Sequence, residues 1–257
     1  MSDPPAQTTQ RLDVALVSRG FVTTRSRARD LVLRGRVEVD GQIVTKPAQS
    51  VVGAAVLFVT ATDEVRMVSR GRLKLVAALD TFGFDPTGLA CLDVGASTGG
   101  FTEVLLERGA KKVYAVDVGT GQLHPRLAQD PRVTSMEGRD VRMLTHADLA
   151  EAPDAIVADV SFLSLTKALP AALTLAAVGA WLVVLVKPQF EAGPQNVSKS
   201  GIVRDERIRL ATVDHIAAWL EASGWHPTSP IPSPITGGEG NIEYLLGARR
   251  KEHRDHG

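Results

Sequence analysis

The stretch Leu92-Asp93-Val94-Gly95-Ala96-Ser97-Thr98-Gly99-Gly100-Phe101-Thr102 constrains this chain more than any other. It follows an apolar strand and opens a helix, and its glycines permit a tight turn and a close approach of backbone to ligand. Asp117 lies 22 residues beyond Gly95, at the end of the next apolar run, Val113–Val116. An acid there can accept both hydroxyls of an adenosine ribose. Strand, glycine turn, helix and a second strand ending in an acid are the first units of a nucleotide-type α/β sheet.

The same alternation runs on from Ser69. Cys91–Val94, Val113–Val116, Val133–Met136 and Ala155–Val157 read as strands, with Gly99–Arg108 and Leu163–Ala177 as helices. Trp181–Val186 is wholly apolar, as a buried strand should be, and ends at Lys187. A long helix, Arg204–Ser223, stops at Gly224, and a last pair of strands covers roughly Trp225–Ile231 and Asn241–Ala248. The pattern predicts a doubly wound parallel sheet. Ligands of such sheets bind beyond the carboxyl ends of the strands, where Asp93, Asp117, Asp159 and Lys187 all fall.

Two cofactors share the glycine-turn and acid logic, a dinucleotide and S-adenosylmethionine. A dinucleotide fingerprint is G-x-G-x-x-G, whose backbone cradles a pyrophosphate at a helix N-terminus. Here the run is D-x-G-x-x-x-G-G. A carboxylate ahead of the first glycine would repel phosphate and suits a ligand bearing an ammonium group. The spacing favours S-adenosylmethionine, with Asp93, Gly95, Ala96, Ser97, Thr98, Gly99, Gly100, Phe101, Asp117 and Asp159 as candidate contacts. Asp140, after the third strand, is a candidate for adenine.

The N-terminal part is different in character. The whole chain is neutral, with 29 Lys+Arg and 29 Asp+Glu, yet residues 1–75 carry a net charge of +5. Within residues 11–36 seven arginines face only Asp13 and Asp30. Two helical stripes, over 11–20 and from Thr24 to Gly35, precede Val37–Val44. There short alternating strands flank Asp40-Gly41, a strong hairpin signal. A strand follows at Ala55–Thr60. The segment from Arg11 to Val51 resembles the S-four-like RNA-binding domain shared by a ribosomal protein, pseudouridine synthases and tyrosyl-tRNA synthetases. The resemblance rests on an arginine-bearing second helix running into a G-x-V-x-V-D/N-G hairpin. It implies a small α+β module presenting Arg25, Arg27, Arg29, Arg34 and Lys46 to structured RNA. Phosphate contacts of that kind supply affinity and orientation rather than sequence readout.

Four residues of the larger part stand out: Lys74 in SRGRLKL, Asp159 in ADVSF, Lys187 in LVKPQFE and Glu243 in GNIEYLL. Singly, Lys74 could be a surface lysine, Asp159 a helix cap and Glu243 a solvent-facing strand residue. Lys187, which ends an apolar run and precedes a proline, is not explained by solubility. Together they are similar to the Lys–Asp–Lys–Glu tetrad of FtsJ-like ribose 2′-O-methyltransferases. With the RNA-binding module in front, residues 10–248 resemble the TlyA family, also called haemolysin A, through GASTGGF, ADVSF, KPQFE and GNIEY. The resemblance implies a Rossmann-like methyltransferase that uses S-adenosylmethionine to methylate cytidine 2′-oxygens in rRNA of one or both ribosomal subunits. It makes Lys187 the base or hydroxyl-orienting residue. Lys74 would ease proton loss from Lys187 and hold the ribose, and Asp159 and Glu243 would fix the two lysines. A lysine accepts a proton at neutral pH only when burial or a nearby cation favours its neutral form.

The expected organisation is a disordered lead over 1–10, the RNA-binding module over 11–60, a linker over 61–68, the methyltransferase over 69–248 and a loose tail over 249–257. The rival readings are a non-enzymatic RNA-binding protein and a haemolysin-type membrane-active protein. Against the latter, the sequence has neither a basic-faced lytic helix nor an apolar run of transmembrane length. The six histidines lack ligand spacing, so no metal is expected. Cys91, the single cysteine, reads as a core thiol, compatible with a cytoplasmic protein. A monomer is the default.

Overall fold

The computed structural model describes residues 9–22, 24–59 and 68–251. The chain divides into two compact units, Met1–Met67 and Val68–Gly257. Most of the expected lead and the 61–67 part of the expected linker lie outside the described residues, as do residues 252–257.

In the first unit, β1 (Thr9–Arg11) runs into α1 (Leu12–Ser18), followed by α2 (Arg25–Leu33), β2 (Val37–Val39), β3 (Gln42–Ile43), β4 (Ser50–Val52) and β5 (Leu57–Val59). Thr24 caps α2 by accepting the Arg27 N–H at 3.3 Å. The β2–β3 turn uses Asp40 and Gly41, both at positive φ (50° and 80°), the backbone that a tight right-twisted hairpin demands. Leu12, Leu16, Leu31, Val32, Val37, Val51 and Leu57 form the core. β1 pairs antiparallel with β4, so Thr9 and Gln10, expected in a disordered lead, are ladder residues opposite Val52 and Val51. Three-residue strands are too short to show a period in the sequence.

The second unit opens with α3 (Arg72–Phe82), β6 (Ala90–Val94), α4 (Gly100–Glu107), β7 (Lys112–Asp117), α5 (Pro125–Ala128), β8 (Val133–Glu137) and β9 (Ala155–Ala158). It continues through α6 (Leu165–Ala168), α7 (Pro170–Leu175), β10 (Trp181–Val186), α8 (Pro188–Glu191), α9 (Glu206–Ala222), β11 (Trp225–Pro227), β12 (Ile231–Pro232) and β13 (Tyr244–Arg250). The sheet order is β11-β13-β10-β9-β6-β7-β8, with β12 also on β13. Strands β8, β7, β6, β9 and β10 are mutually parallel. Side chains alternate between two cores. Leu182, Val184 and Val186 face the layer with α6, α7 and α9, and Trp181, Val183 and Leu185 face the layer with α3 and α4.

Several expectations are corrected. The sheet is not wholly parallel: β11, β12 and β13 pair antiparallel, because the chain returns through the short 225–250 hairpins rather than a crossover helix. The 163–177 helix is broken at Pro170, which cannot donate to the preceding turn. The 225–231 strand is two short strands separated by a proline-rich turn. Glu243 precedes β13 rather than lying on it. Val68, expected in a linker, is 7% exposed and packs in the second core, and its N–H bonds the Glu103 carboxylate. Arg249 and Arg250, expected in a loose tail, belong to β13, and Lys251 N–H bonds Gly224 O. Among the described residues no helix is long and apolar enough to cross a membrane.

Candidate active site

The order of connections fixes where a ligand can sit. From β6 the chain goes first to β7 and β8 on one side, then to β9 on the other, so the sheet switches direction between β6 and β9. A cavity of about 600 Å³ opens there. Its wall includes Gly95, Ser97, Asp117, Gly119, Gln122, Arg139, Asp140 and the 159–163 segment. A smaller recess of about 190 Å³ is lined by Ser69, Gly71, Ala96, Thr98, Gly100, Phe101 and Lys187. The two share Gly95, Ser97, Asp159 and Ser161 in their walls.

The turn after β6 is built to bring backbone close. A Cβ on Gly95, at φ 80°, would lie 2.6 Å from the Asp159 carbonyl oxygen. Ser97 takes φ 47°, uncommon for a side-chain-bearing residue. Its N–H donates to Asp117 Oδ2 at 2.8 Å and its hydroxyl to Gln122 at 3.1 Å. Asp117 Oδ1 accepts from Gly119 N–H at 2.7 Å. Each Asp117 oxygen therefore spends one lone pair on the loops and keeps one for a ribose hydroxyl. Asp140 lines the cavity as well. Its carboxylate is already held by Arg142 at 2.5 Å and caps the 141–143 turn, and Arg142 keeps its pKa below the usual carboxylate value.

Two candidates of the glycine run do other work. Strand alternation turns Asp93 away from the cavity and under α4, where it is fully buried and accepts from Thr102 Oγ1 at 2.7 Å. Burial raises its pKa to about 7, and its Oδ1 is enclosed with no hydrogen-bond partner among the described residues. Asp93 is thus a core acid, not a wall of the site. Gly99 lines neither cavity, and a Cβ there would strike Leu127 and Leu123. Gly100 touches the recess but also serves packing, since a Cβ would approach Ser69 Cβ to 2.9 Å.

Lys74, Asp159, Lys187 and Glu243, far apart in the chain, meet at one point. Lys74, on α3 and 7% exposed, donates to Glu243 Oε2 at 2.7 Å and lies 4.0 Å from Asp159 Oδ2. Lys187, 8% exposed at the end of β10, pairs with Asp159 Oδ1 at 2.6 Å and donates to Ser161 Oγ at 2.8 Å. Asp159 thus bridges the two ammonium groups. Glu243 also accepts from Gln189 at 3.4 Å. Nearly buried charges persist only when paired in this way. Ser161, Gln122, Arg139 and Ser69 were not singled out from the sequence. Their signal was only proximity to motif residues, since loop contacts carry no periodicity. The Cys91 thiol, pushed up to about 12 by burial, is an inert core group. Among the described residues no three His, Cys, Asp or Glu side chains gather as a metal site.

In the first unit the basic residues divide their labour. Arg25 and Arg29, one helical turn apart, line a shallow recess with Ser26, Asp30 and Leu33. Arg25 also reaches the fully buried Asp13 at 3.1 Å, which Arg11 holds at 2.9 Å. Arg34 pairs with Asp30 at 3.1 Å. Arg29 and Lys46 are exposed, and Arg27 is half-buried. Arg19 is committed to the carbonyls of Val52, Gly53 and Ala55.

Comparison with known proteins matches residues 67–250 to the FtsJ-like methyltransferase family and residues 10–56 to the S4 domain. The 16S/23S rRNA (cytidine-2′-O)-methyltransferase TlyA of Mycobacterium tuberculosis is 44% identical over 244 residues, covering 95% of this chain and 91% of its own. Hemolysin A of Brachyspira hyodysenteriae is 41% identical over 238 residues, covering 91% of this chain and 98% of its own. A solved structure from Streptococcus thermophilus, which carries a hemolysin name, superposes with a TM-score of 0.76 at 39% identity, covering 96% of this chain and 90% of that one.

Proposed function

The chain belongs to the FtsJ-like methyltransferase family, and from that premise we propose that it uses S-adenosylmethionine to methylate the ribose 2′-oxygen of cytidine in rRNA. One observation carries the reading: the Lys74–Asp159–Lys187–Glu243 cluster reaches, through Asp159 and Lys187, the recess that adjoins the large cavity at the sheet's switch point. The residues fit the cofactor. Asp117 retains an acceptor on each oxygen for the two ribose hydroxyls, residues 95–98 line the recess, and Asp140 stands in the wall of the large cavity with Asp117. When bound, S-adenosylmethionine supplies an electrophilic methyl group.

The chain's own residues then handle the acceptor. Lys187 Nζ orients the 2′-hydroxyl and takes its proton as the oxygen attacks. Asp159 fixes Lys187, and the Lys74–Glu243 pair fixes Asp159 from the far side. Alignment of oxygen, carbon and sulfur in a fixed site accounts for much of the barrier reduction. Arg25, Arg27, Arg29, Arg34 and Lys46 hold rRNA phosphates and set the approach. Phe162, 90% exposed and 5.2 Å from Phe190, stands in the cavity wall as a stacking surface for a base. An rRNA substrate implies a cytoplasmic site of action.

The test is incubation of the pure protein with radiolabelled S-adenosylmethionine and each purified ribosomal subunit or its naked rRNA, followed by nuclease mapping. Label on a cytidine 2′-oxygen is the expected result and identifies the subunit. Cofactor binding with no label on any RNA would overturn the substrate assignment. Absence of cofactor binding would overturn the enzyme reading in favour of an RNA-binding role.

A further inference from the structure

We infer that Ser161 is a positioning residue that aims the lone pair of Lys187 at the target 2′-hydroxyl. The inference rests on the methyl-transfer reading above and extends it to a side chain outside the four-residue cluster.

A neutral lysine amine has two N–H groups and one lone pair in tetrahedral directions. Two oxygens lie beside Lys187 Nζ: Asp159 Oδ1, an ion-pair contact at 2.6 Å without hydrogen-bond geometry, and Ser161 Oγ, which accepts from Nζ at 2.8 Å. With the Asp159 contact alone, no hydrogen bond would fix the amine's rotation, and its lone pair would spread over a cone. The Ser161 hydrogen bond, added to the Asp159 ion pair, restricts that rotation and narrows the direction of the lone pair. The Phe190 ring, 5.9 Å from Nζ, offers a π face and no lone-pair acceptor in the plane of a hydrogen bond. Lys187, Asp159 and Ser161 all line the smaller recess, and Asp159 and Ser161 also line the large cavity. The amine is therefore fixed from the side where the two spaces adjoin.

Ser161 has no evident structural duty that would explain its hydroxyl. Ser161 is exposed, and among the described residues the hydrogen bond its hydroxyl makes is the one with Lys187. The surrounding segment is secured elsewhere: Glu191 accepts from Ser164 Oγ at 2.6 Å and from Leu165 N–H at 2.7 Å. Removing the Ser161 hydroxyl should leave that tie, and the fold, unchanged.

The experiment compares wild type, Ser161→Ala and Ser161→Thr in single-turnover methyl transfer to rRNA, with the dissociation constant for S-adenosylmethionine and the melting temperature measured on the same preparations. Ser161→Ala should lower the rate roughly 10- to 100-fold, the scale of a small misplacement of a reacting group. Cofactor affinity and melting temperature should stay at wild-type values. Ser161→Thr, which keeps the hydroxyl, should recover most of the rate. A wild-type rate in Ser161→Ala, or equal loss in the Ala and Thr variants with no change in melting temperature, would overturn the inference while leaving the methyltransferase reading intact. A wild-type protein that binds cofactor but transfers no methyl to rRNA would overturn the parent reading, and this inference with it.

Discussion

Gly95→Ala is the substitution whose cost follows most directly from the structure. The added methyl group would sit 2.6 Å from the Asp159 carbonyl oxygen and 3.0 Å from its carbon. Neither atom belongs to a flexible side chain, so the backbone at the end of β9 must give. Reaching ordinary contact at 3.4 Å requires a retreat of about 0.8 Å, in an interior packed as densely as an organic crystal. Alanine at positive φ adds about 1–2 kcal/mol of backbone strain. For a chain of this size that corresponds to a fall in melting temperature of about 2–8 °C. The functional cost is larger. Asp159 holds Lys187 at 2.6 Å and stands 4.0 Å from Lys74, so its displacement moves the proposed base. A misplacement approaching 1 Å costs on the order of 100-fold in rate. Thermal melting and single-turnover transfer on the same protein provide the assay. The expected outcome is a modest fall in melting temperature with a disproportionate loss of rate. A variant with wild-type rate would refute the claim that the β6 turn and Asp159 are held in register by the missing side chain.

Three further outcomes follow from particular contacts. Lys187→Ala should lower the rate by about 10²- to 10⁴-fold with cofactor affinity unchanged, and Lys187→Arg should fail equally because guanidinium does not release its proton; near-wild-type turnover of either would remove Lys187 from the chemistry. Arg29→Ala should reduce the slope of log K for RNA against log salt by about one unit at constant melting temperature, whereas Arg25→Ala should also lower the melting temperature, because Arg25 neutralises the buried Asp13. The Asp93 pKa is raised by burial to about 7, above the ordinary carboxylate value of 3.8, so the folded state binds the extra proton between those pH values. Its contribution to stability is therefore complete below pH 3.8 and is lost as the pH rises to 7, a change of about 4 kcal/mol. Asp93→Asn should flatten that decline in urea titrations across the interval, and an unchanged pH slope would disprove it.

Much of this protein was legible in its sequence because the signals are local. An apolar run followed by glycines and an acid 22 residues on can hardly fold otherwise than as strand, turn, helix and strand. Asp40-Gly41 specifies its own hairpin through the positive φ it tolerates. The four polar residues of the cluster were recognisable by the strings around them. Their meeting was not: Lys74 and Glu243 are separated by 169 positions, and only the insertion of β10 between β9 and β13 brings them to Asp159. The reversed direction of β13, antiparallel to β10, β11 and β12, also escaped the sequence, because alternation reports which face a side chain takes but not which way a strand runs. Asp93 shows the same limit. Its position in the motif looks like a ligand contact, yet the two-residue period of β6 turns it beneath α4 and into the core. The sequence determined the local elements and the chemical types present. Tertiary structure decided which of those charges share a site, because pairing distances depend on strand order and side-chain facing, neither of which is a local property of the chain.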